Sequence, residues 1–246
     1  MRVLAIGNSF SQDATAHLTR LAKAGGEEIF VLNLYIGGCS LQRHWENVQS
    51  DAPAYDEQFH GEPTGRTLSI DQALSEGPWD VITLQQVSGE SGKWESYEPY
   101  LTDLAAHVRE KAPAARLWVH QTWAYEMDSN HPSFSQYGSD QKRMYDALCL
   151  AYAQAAETLG AEILPCGEVV QTLRQLPVFD YAQGGRSLCR DGFHLDLTYG
   201  RFAAAAVWYE KLLGRDVREN PYVPCEAAQE DVLDLIRETV HSVCRK

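Results

Sequence analysis

Hydrophobic positions along this chain fall into short unbroken runs that alternate with longer stretches spaced at three and four residues. The first run, "RVLAIGN" over 2–8, predicts a buried strand, because a strand covered on both faces is apolar without alternation. "SQDATAHLTRLAKAGG" follows over 11–26, with Ala14, Leu18, Leu21 and Ala22 at helical spacing and Gly25 and Gly26 as the stop. Further strands are predicted in "EIFVLNLY" (28–35), "PWDVITLQQ" (78–86), "ARLWVHQTW" (115–123) and "AEILPCG" (161–167). Further helices are predicted in "SLQRHWENVQ" (40–49), "YLTDLAAHVREKAP" (100–113) and "DQKRMYDALCLAYAQAAETLG" (140–160). "LTYGRFAAAAVWYEKLLG" (197–214) and "EAAQEDVLDLIRETVHSVCRK" (226–246) complete the helical set. Residues 51–67 are rich in Pro, Gly, Asp and Glu and read as an excursion or insertion, such as a small hairpin, outside the core.

Strands alternating with helices predict an α/β fold: a three-layer α/β/α sandwich around a central, mostly parallel, five-stranded sheet of flavodoxin-like type. No repeat and no low-complexity linker divides residues 1–246, so a single domain is expected. In open sheets of this kind ligands bind at the carboxyl ends of the strands.

Charge narrows the partners. A formal net charge of -13 argues against a nucleic acid or an anionic membrane surface, and favours a small, neutral or weakly charged substrate. No apolar run approaches the roughly 20 residues needed to span a bilayer. The N-terminal run is too short for a signal peptide, so a cytoplasmic location with Met1 as the mature start is expected. Cys39, Cys149, Cys166, Cys189, Cys225 and Cys244 form no C-x-x-C pair and read as reduced thiols. Homo-oligomer formation is left open.

Candidate chemistry stands at the predicted strand ends: Asn8 and Ser9 after the first, Gly37 and Gly38 after the second, Gln85 and Gln86 after the third. The fourth runs into Gln121, Trp123 and Tyr125, and "RDGFHLD" precedes a late helix. Ser9 fits either a helix cap or a nucleophile at a helix start, where backbone N–H groups face developing negative charge. Asp191 and His194, three apart in a turn, fit a carboxylate that fixes an imidazole as general base, or a helix cap beside a satisfied histidine. His194 and Asp196 offer two metal ligands without a third. Gly38 allows close approach of a backbone N–H, and strand alternation sends Gln85 and Gln86 to opposite faces, so one at most can serve. Trp45, Trp94, Trp123 and Tyr125 can stack on a sugar or pack the core.

The order of these blocks resembles the SGNH hydrolases, also called GDSL-type esterases. Gly7-Asn8-Ser9 stands for the first block, Gly38 in "GGCS" for the second-block glycine, and Asp191-Gly192-Phe193-His194 for the fourth block. Two departures stand out: Asn8 replaces the usual aspartate, and "LQQVS" stands where a G-x-N-D block is usual. Together, "GNSFS", "GGCSL", "LQQVS" and "DGFHL" are similar to a DUF4886-like branch. The resemblance implies a serine esterase that removes a small acyl group, acetyl foremost, from a carbohydrate or similar alcohol. It gives Ser9 as nucleophile, His194 as base and Asp191 as its orienting acid. Gly38 and Gln85 become oxyanion donors, Trp123 and Tyr125 substrate contacts, and no metal or organic cofactor is called for. An O-acyltransferase using the same triad, and a catalytically silent carbohydrate-binding protein of the same fold, are the alternatives. A flavodoxin-like phosphate binder ranks last, since "GNSFSQD" lacks the glycine spacing of a phosphate cradle. With Ser9 as nucleophile, Ser11 is expected to cap the first helix.

Overall fold

Among the described residues the strands are β1 (Arg2–Gly7), β2 (Phe30–Tyr35), β3 (Tyr55–Phe59), β4 (Glu62–Leu68), β5 (Val81–Leu84), β6 (Arg116–His120) and β7 (Glu162–Leu164). In the computed structural model, which describes residues 1–245, they form one sheet in the order β4-β3-β2-β1-β5-β6-β7. The initial apolar run lies at its centre: Leu4 is in register with Leu32 on one side and Ile82 on the other, both in parallel. A central strand between two helical layers has no wet face, which is why an unbroken run encodes it.

Two strands exceed the five expected. Residues 51–67 hold the expected hairpin, but it joins the sheet: β3 pairs antiparallel with β2, and β4 with β3, extending the sheet at one edge. The hairpin turns at His60 and Gly61, both with positive φ (52° and 83°), the left-handed pair that a two-residue turn needs. β4 is exposed along its length up to Leu68, and Pro63 and Gly65 make it a poor template for another strand. An edge strand of this kind carries no apolar run to announce it.

The helices are α1 (Ser9–Thr15), α2 (Leu18–Ala24), α3 (Leu41–Gln49), α4 (Ile70–Ser75), α5 (Tyr100–Lys111), α6 (Gln141–Leu159), α7 (Cys166–Leu173), α8 (Tyr199–Leu213) and α9 (Glu230–Cys244). The single helix expected over 11–26 is therefore two, and it begins earlier, at Ser9. Two short helices, α4 and α7, were not expected. α8 is the middle of one layer, packed on α1, α2, α7 and α9, and its Ala203, Ala204, Ala205 and Ala206 are buried. Being covered all round, it has no polar face, and the small side chains let its neighbours approach closely. α3, α4, α5 and α6 form the opposite layer. Among the described residues no helix is long and apolar enough to cross a membrane.

From β1 the chain passes to β2 on one side and later returns as β5 on the other, so the strand order reverses at β1. The crevice at a reversal of this kind opens outside the strands' carboxyl ends. Ser9 follows β1, Gly38 follows β2 and Gln85 follows β5.

Candidate active site

Ser9 is the first residue of α1, and the residue capping that helix is Asn8. Asn8 is extended (φ −150°), and its side-chain oxygen accepts the Phe10 N–H at 3.0 Å. Ser11 completes the cap from the other direction, its hydroxyl accepting the Asn8 N–H at 3.1 Å. The expectation that Ser11 is the cap is thus corrected: it is the third helical residue, reaching back to the cap backbone. Gly7 makes room for it, since a Cβ there would stand 2.3 Å from Ser11 Oγ.

The cap leaves Ser9 free for other contacts. His194 Nε2 lies 2.8 Å from Ser9 Oγ, and His194 Nδ1 lies 2.7 Å from Asp191 Oδ2. Asp191 Oδ1 accepts the His194 N–H at 2.8 Å and the Phe193 N–H at 3.2 Å, so the turn itself fixes the carboxylate. Partial burial works against the Asp191 charge, but the His194 ring and these backbone N–H groups outweigh it and hold the carboxyl below its ordinary pKa. An ionised Asp191 accepts a hydrogen bond from His194 Nδ1–H, which keeps the ring proton on Nδ1 and leaves the Nε2 lone pair to receive the serine proton. His194 is only 21% exposed, with Phe193 against one side of its ring (centroids 4.2 Å apart).

Gly38 (φ +63°) turns the chain after β2, a conformation that favours glycine. Among the described residues neither the Ser9 N–H nor the Gly38 N–H has a hydrogen-bond acceptor. The two segments are tied together by Asn8, whose Nδ2 donates to the Cys39 carbonyl at 3.1 Å.

The glutamines and aromatics stand elsewhere than expected. Gln85 is 2% exposed, and its Nε2 donates to Asn8 Oδ1 at 2.8 Å while its Oε1 lies 2.6 Å from His120 Nδ1. It supports Asn8 from below instead of offering a free amide beside Ser9. Gln86 is fully buried, accepting from Leu41 N and donating to Ser96. Trp123 and Tyr125 are 0% exposed, so neither presents a face to a substrate. Trp123 stacks on Phe10 at 4.3 Å and donates its indole N–H to the Phe193 carbonyl at 2.8 Å, which supports the His194 turn from within. Tyr125 O–H pairs with Ser88 Oγ. Trp45 lies against His107, and Trp94 stacks on Tyr97.

His120, which the sequence reading did not single out, completes a directed chain. Because Asn8 Oδ1 accepts from Phe10 N, its amide nitrogen must face Cys39 O; Gln85 must then turn its own NH2 to Asn8, and its oxygen requires a proton on His120 Nδ1. Burial drives the His120 pKa down to about 3, so the ring is neutral. A polar residue ending an apolar strand beside Gln85 was the available signal. This chain also gives Asn8 a physical account: an aspartate could accept from Phe10 and Gln85 but would set a carboxylate oxygen against the Cys39 carbonyl.

The residues Glu210, Asp216 and His241, between α8 and α9, are the one group of three potential metal ligands found among the described residues. Arg218 already pairs with both oxygens of Asp216, so these donors face cations of the chain itself.

A family model described as a domain of unknown function, DUF4886, matches residues 2–242. The chain belongs to the DUF4886 family. It is similar over 99% of its length, at 39% identity and TM-score 0.92, to the crystal structure of a DUF4886 family protein from Bacteroides uniformis, of which it covers 94%. A candidate SGNH hydrolase from Slackia heliotrinireducens shares the fold at 21% identity and TM-score 0.56, with 86% of this chain and 98% of that one covered. So does an acetylxylan esterase from Geobacillus stearothermophilus, at 15% identity and TM-score 0.52, with 92% and 97% covered. The curated proteins contain no match to the sequence. The expected DUF4886-like resemblance therefore stands, and the fold is one that SGNH hydrolases share.

Proposed function

We propose that this protein is a serine carboxylic ester hydrolase that removes a small acyl group, acetyl foremost, from a carbohydrate or similar small-molecule alcohol. The observation that carries the reading is the continuous path from Ser9 Oγ through His194 Nε2 and Nδ1 to Asp191, at 2.8 and 2.7 Å. Ser9 Oγ attacks the ester carbonyl as its proton passes to His194 Nε2. The carbonyl oxygen becomes an oxyanion, for which the Ser9 and Gly38 N–H groups are the candidate donors, each worth about 2–4 kcal/mol of barrier. His194 returns the proton to the alkoxide, the C–O bond breaks, and the alcohol leaves an acyl-Ser9. Water, deprotonated by His194, then attacks that acyl carbon, and the carboxylic acid and free Ser9 result. Asp191 keeps its charge throughout and stabilises the imidazolium. The acetyl-carbohydrate choice draws support from the shared fold with an acetylxylan esterase.

The test is hydrolysis of p-nitrophenyl acetate and acetylated sugars, together with mass analysis after treatment with a fluorophosphonate. The expected result is turnover by the wild type and a single phosphonylated Ser9. Equal turnover by Ser9→Ala, or a folded protein that takes no label, would overturn the reading. Acetyl-sugar instead of acetate, in the presence of a sugar acceptor, would reassign it as an acyltransferase.

A further inference from the structure

Asp13 lies on α1, one turn beyond Ser9, and its side chain is 0% exposed. Two residues that bracket the Asp191–His194 turn both donate to it. Arg190, immediately before Asp191, places Nη1 at 3.0 Å from each carboxylate oxygen. Leu195, immediately after His194, donates its backbone N–H to Oδ2 at 2.9 Å. The turn is also closed on itself, Arg190 N–H donating to the His194 carbonyl at 2.9 Å and Arg190 Nη1 to the Leu195 carbonyl. From α8, Arg201 adds Nε at 2.8 Å to Oδ1. A fully buried carboxylate persists only with compensation of this kind, and here the compensation comes from both ends of one functional turn.

We propose that Asp13 is the positioning residue of this site: it holds the Asp191–His194 turn against the helix that carries Ser9, and so sets the Ser9–His194 separation. The proposal rests on the ester-hydrolase reading for its kinetic consequence, but not for its geometry. Asp13 touches no reacting atom; it acts through the main chain on either side of the base.

Asp13→Asn keeps the shape and one acceptor oxygen but removes the charge that gathers Arg190, Arg201 and Leu195. The expected result is kcat lowered about 10- to 100-fold with KM within about twofold, as for a misplacement of order 1 Å. A second readout is independent of turnover. In the wild type the His194 Nδ1 proton, shared with Asp191, should give a far-downfield proton resonance that His194→Ala removes. Asp13→Asn should broaden or abolish it. If Asp13→Asn does not fold, Arg190→Met withdraws only the turn side of the cluster and should have the same effects in weaker form. Unchanged kcat and an unchanged resonance, with only a lower melting temperature, would make Asp13 a structural ion pair and overturn the proposal. If the wild type hydrolyses no ester, the hydrolase reading fails, and the resonance alone still decides the role of Asp13.

Discussion

On one side of Ser9 a neutral imidazole and two side-chain amides pass hydrogen bonds in one direction, from His120 through Gln85 and Asn8 to the Cys39 carbonyl. On the other side a buried carboxylate gathers two guanidinium groups and a backbone N–H. Both arrangements fix a loop against the start of α1, but they suit opposite charges. In the proposed reaction negative charge develops on the side of the Gly38 turn, where a fixed anion would raise the barrier and a row of uncharged dipoles does not. Positive charge develops on His194, where a carboxylate partner and an ionic anchor belong. The difference teaches that the site separates charge before a substrate arrives.

The largest expected effect removes the groups between the two flanks. Ser9→Ala and His194→Ala should each lower kcat for p-nitrophenyl acetate by about 10,000-fold or more, since nucleophile and base act as a unit. Asn8→Asp attacks the contrast itself, by placing an anion on the neutral flank. It should cost about 2–4 kcal/mol of stability at neutral pH and about 100-fold in kcat, with partial recovery near pH 5 as the introduced carboxyl takes a proton. Wild-type activity in that variant at pH 8 would show that neutrality there is not functional. Gln85→Met sharpens the same flank. A supporting role predicts a loss in kcat of about 10-fold or less, whereas a direct oxyanion donor would cost about 100- to 1,000-fold.

The last effect is on stability instead of turnover. His44 and His120 are buried and neutral, with burial holding both pKa values down to about 3. The unfolded chain protonates these rings near pH 6.5, so between pH 6.5 and 3 it binds more protons than the folded state. Stability is therefore full above pH 6.5 and lost as pH falls, by up to about 1.4 kcal/mol per unit for each histidine. Urea melts at pH 7 and pH 5 measure the loss, and His120→Gln should reduce it by its share; equal midpoints at both pH values would refute the assignment.

What could be read from the sequence follows from how local each interaction is. Asp191 and His194 were legible because a three-residue turn is enough to bring a carboxylate to Nδ1. The parallel strands were legible because burial on both faces leaves an unbroken apolar run. The partner of Gln85 was not: alternation gives the face a side chain points to, not that it meets Asn8, 77 positions away in sequence. Trp123 and Tyr125 carry the same residue types whether they stack on a ligand or on Phe10, and only the packing decides. β4 was missed as a sheet member because an exposed edge follows turn chemistry and solvent, not the core; β3 is mostly buried, but its Glu57 and Gln58 are polar, so no apolar run announces it. Asp13 reads as one more acidic residue in a helix until the fold brings Arg190 and Arg201, 177 and 188 positions later, beside it.

The contact from Asn8 to the Cys39 carbonyl has a consequence for comparing relatives. A side chain at this position that donates needs the following loop to present a carbonyl, whereas one that only accepts needs the same loop to present an N–H. Position 8 is therefore a reporter of which way a peptide group faces some thirty residues downstream. Among homologues, an exchange of Asn for Asp there should be inherited together with a flipped peptide after β2, and should not occur alone.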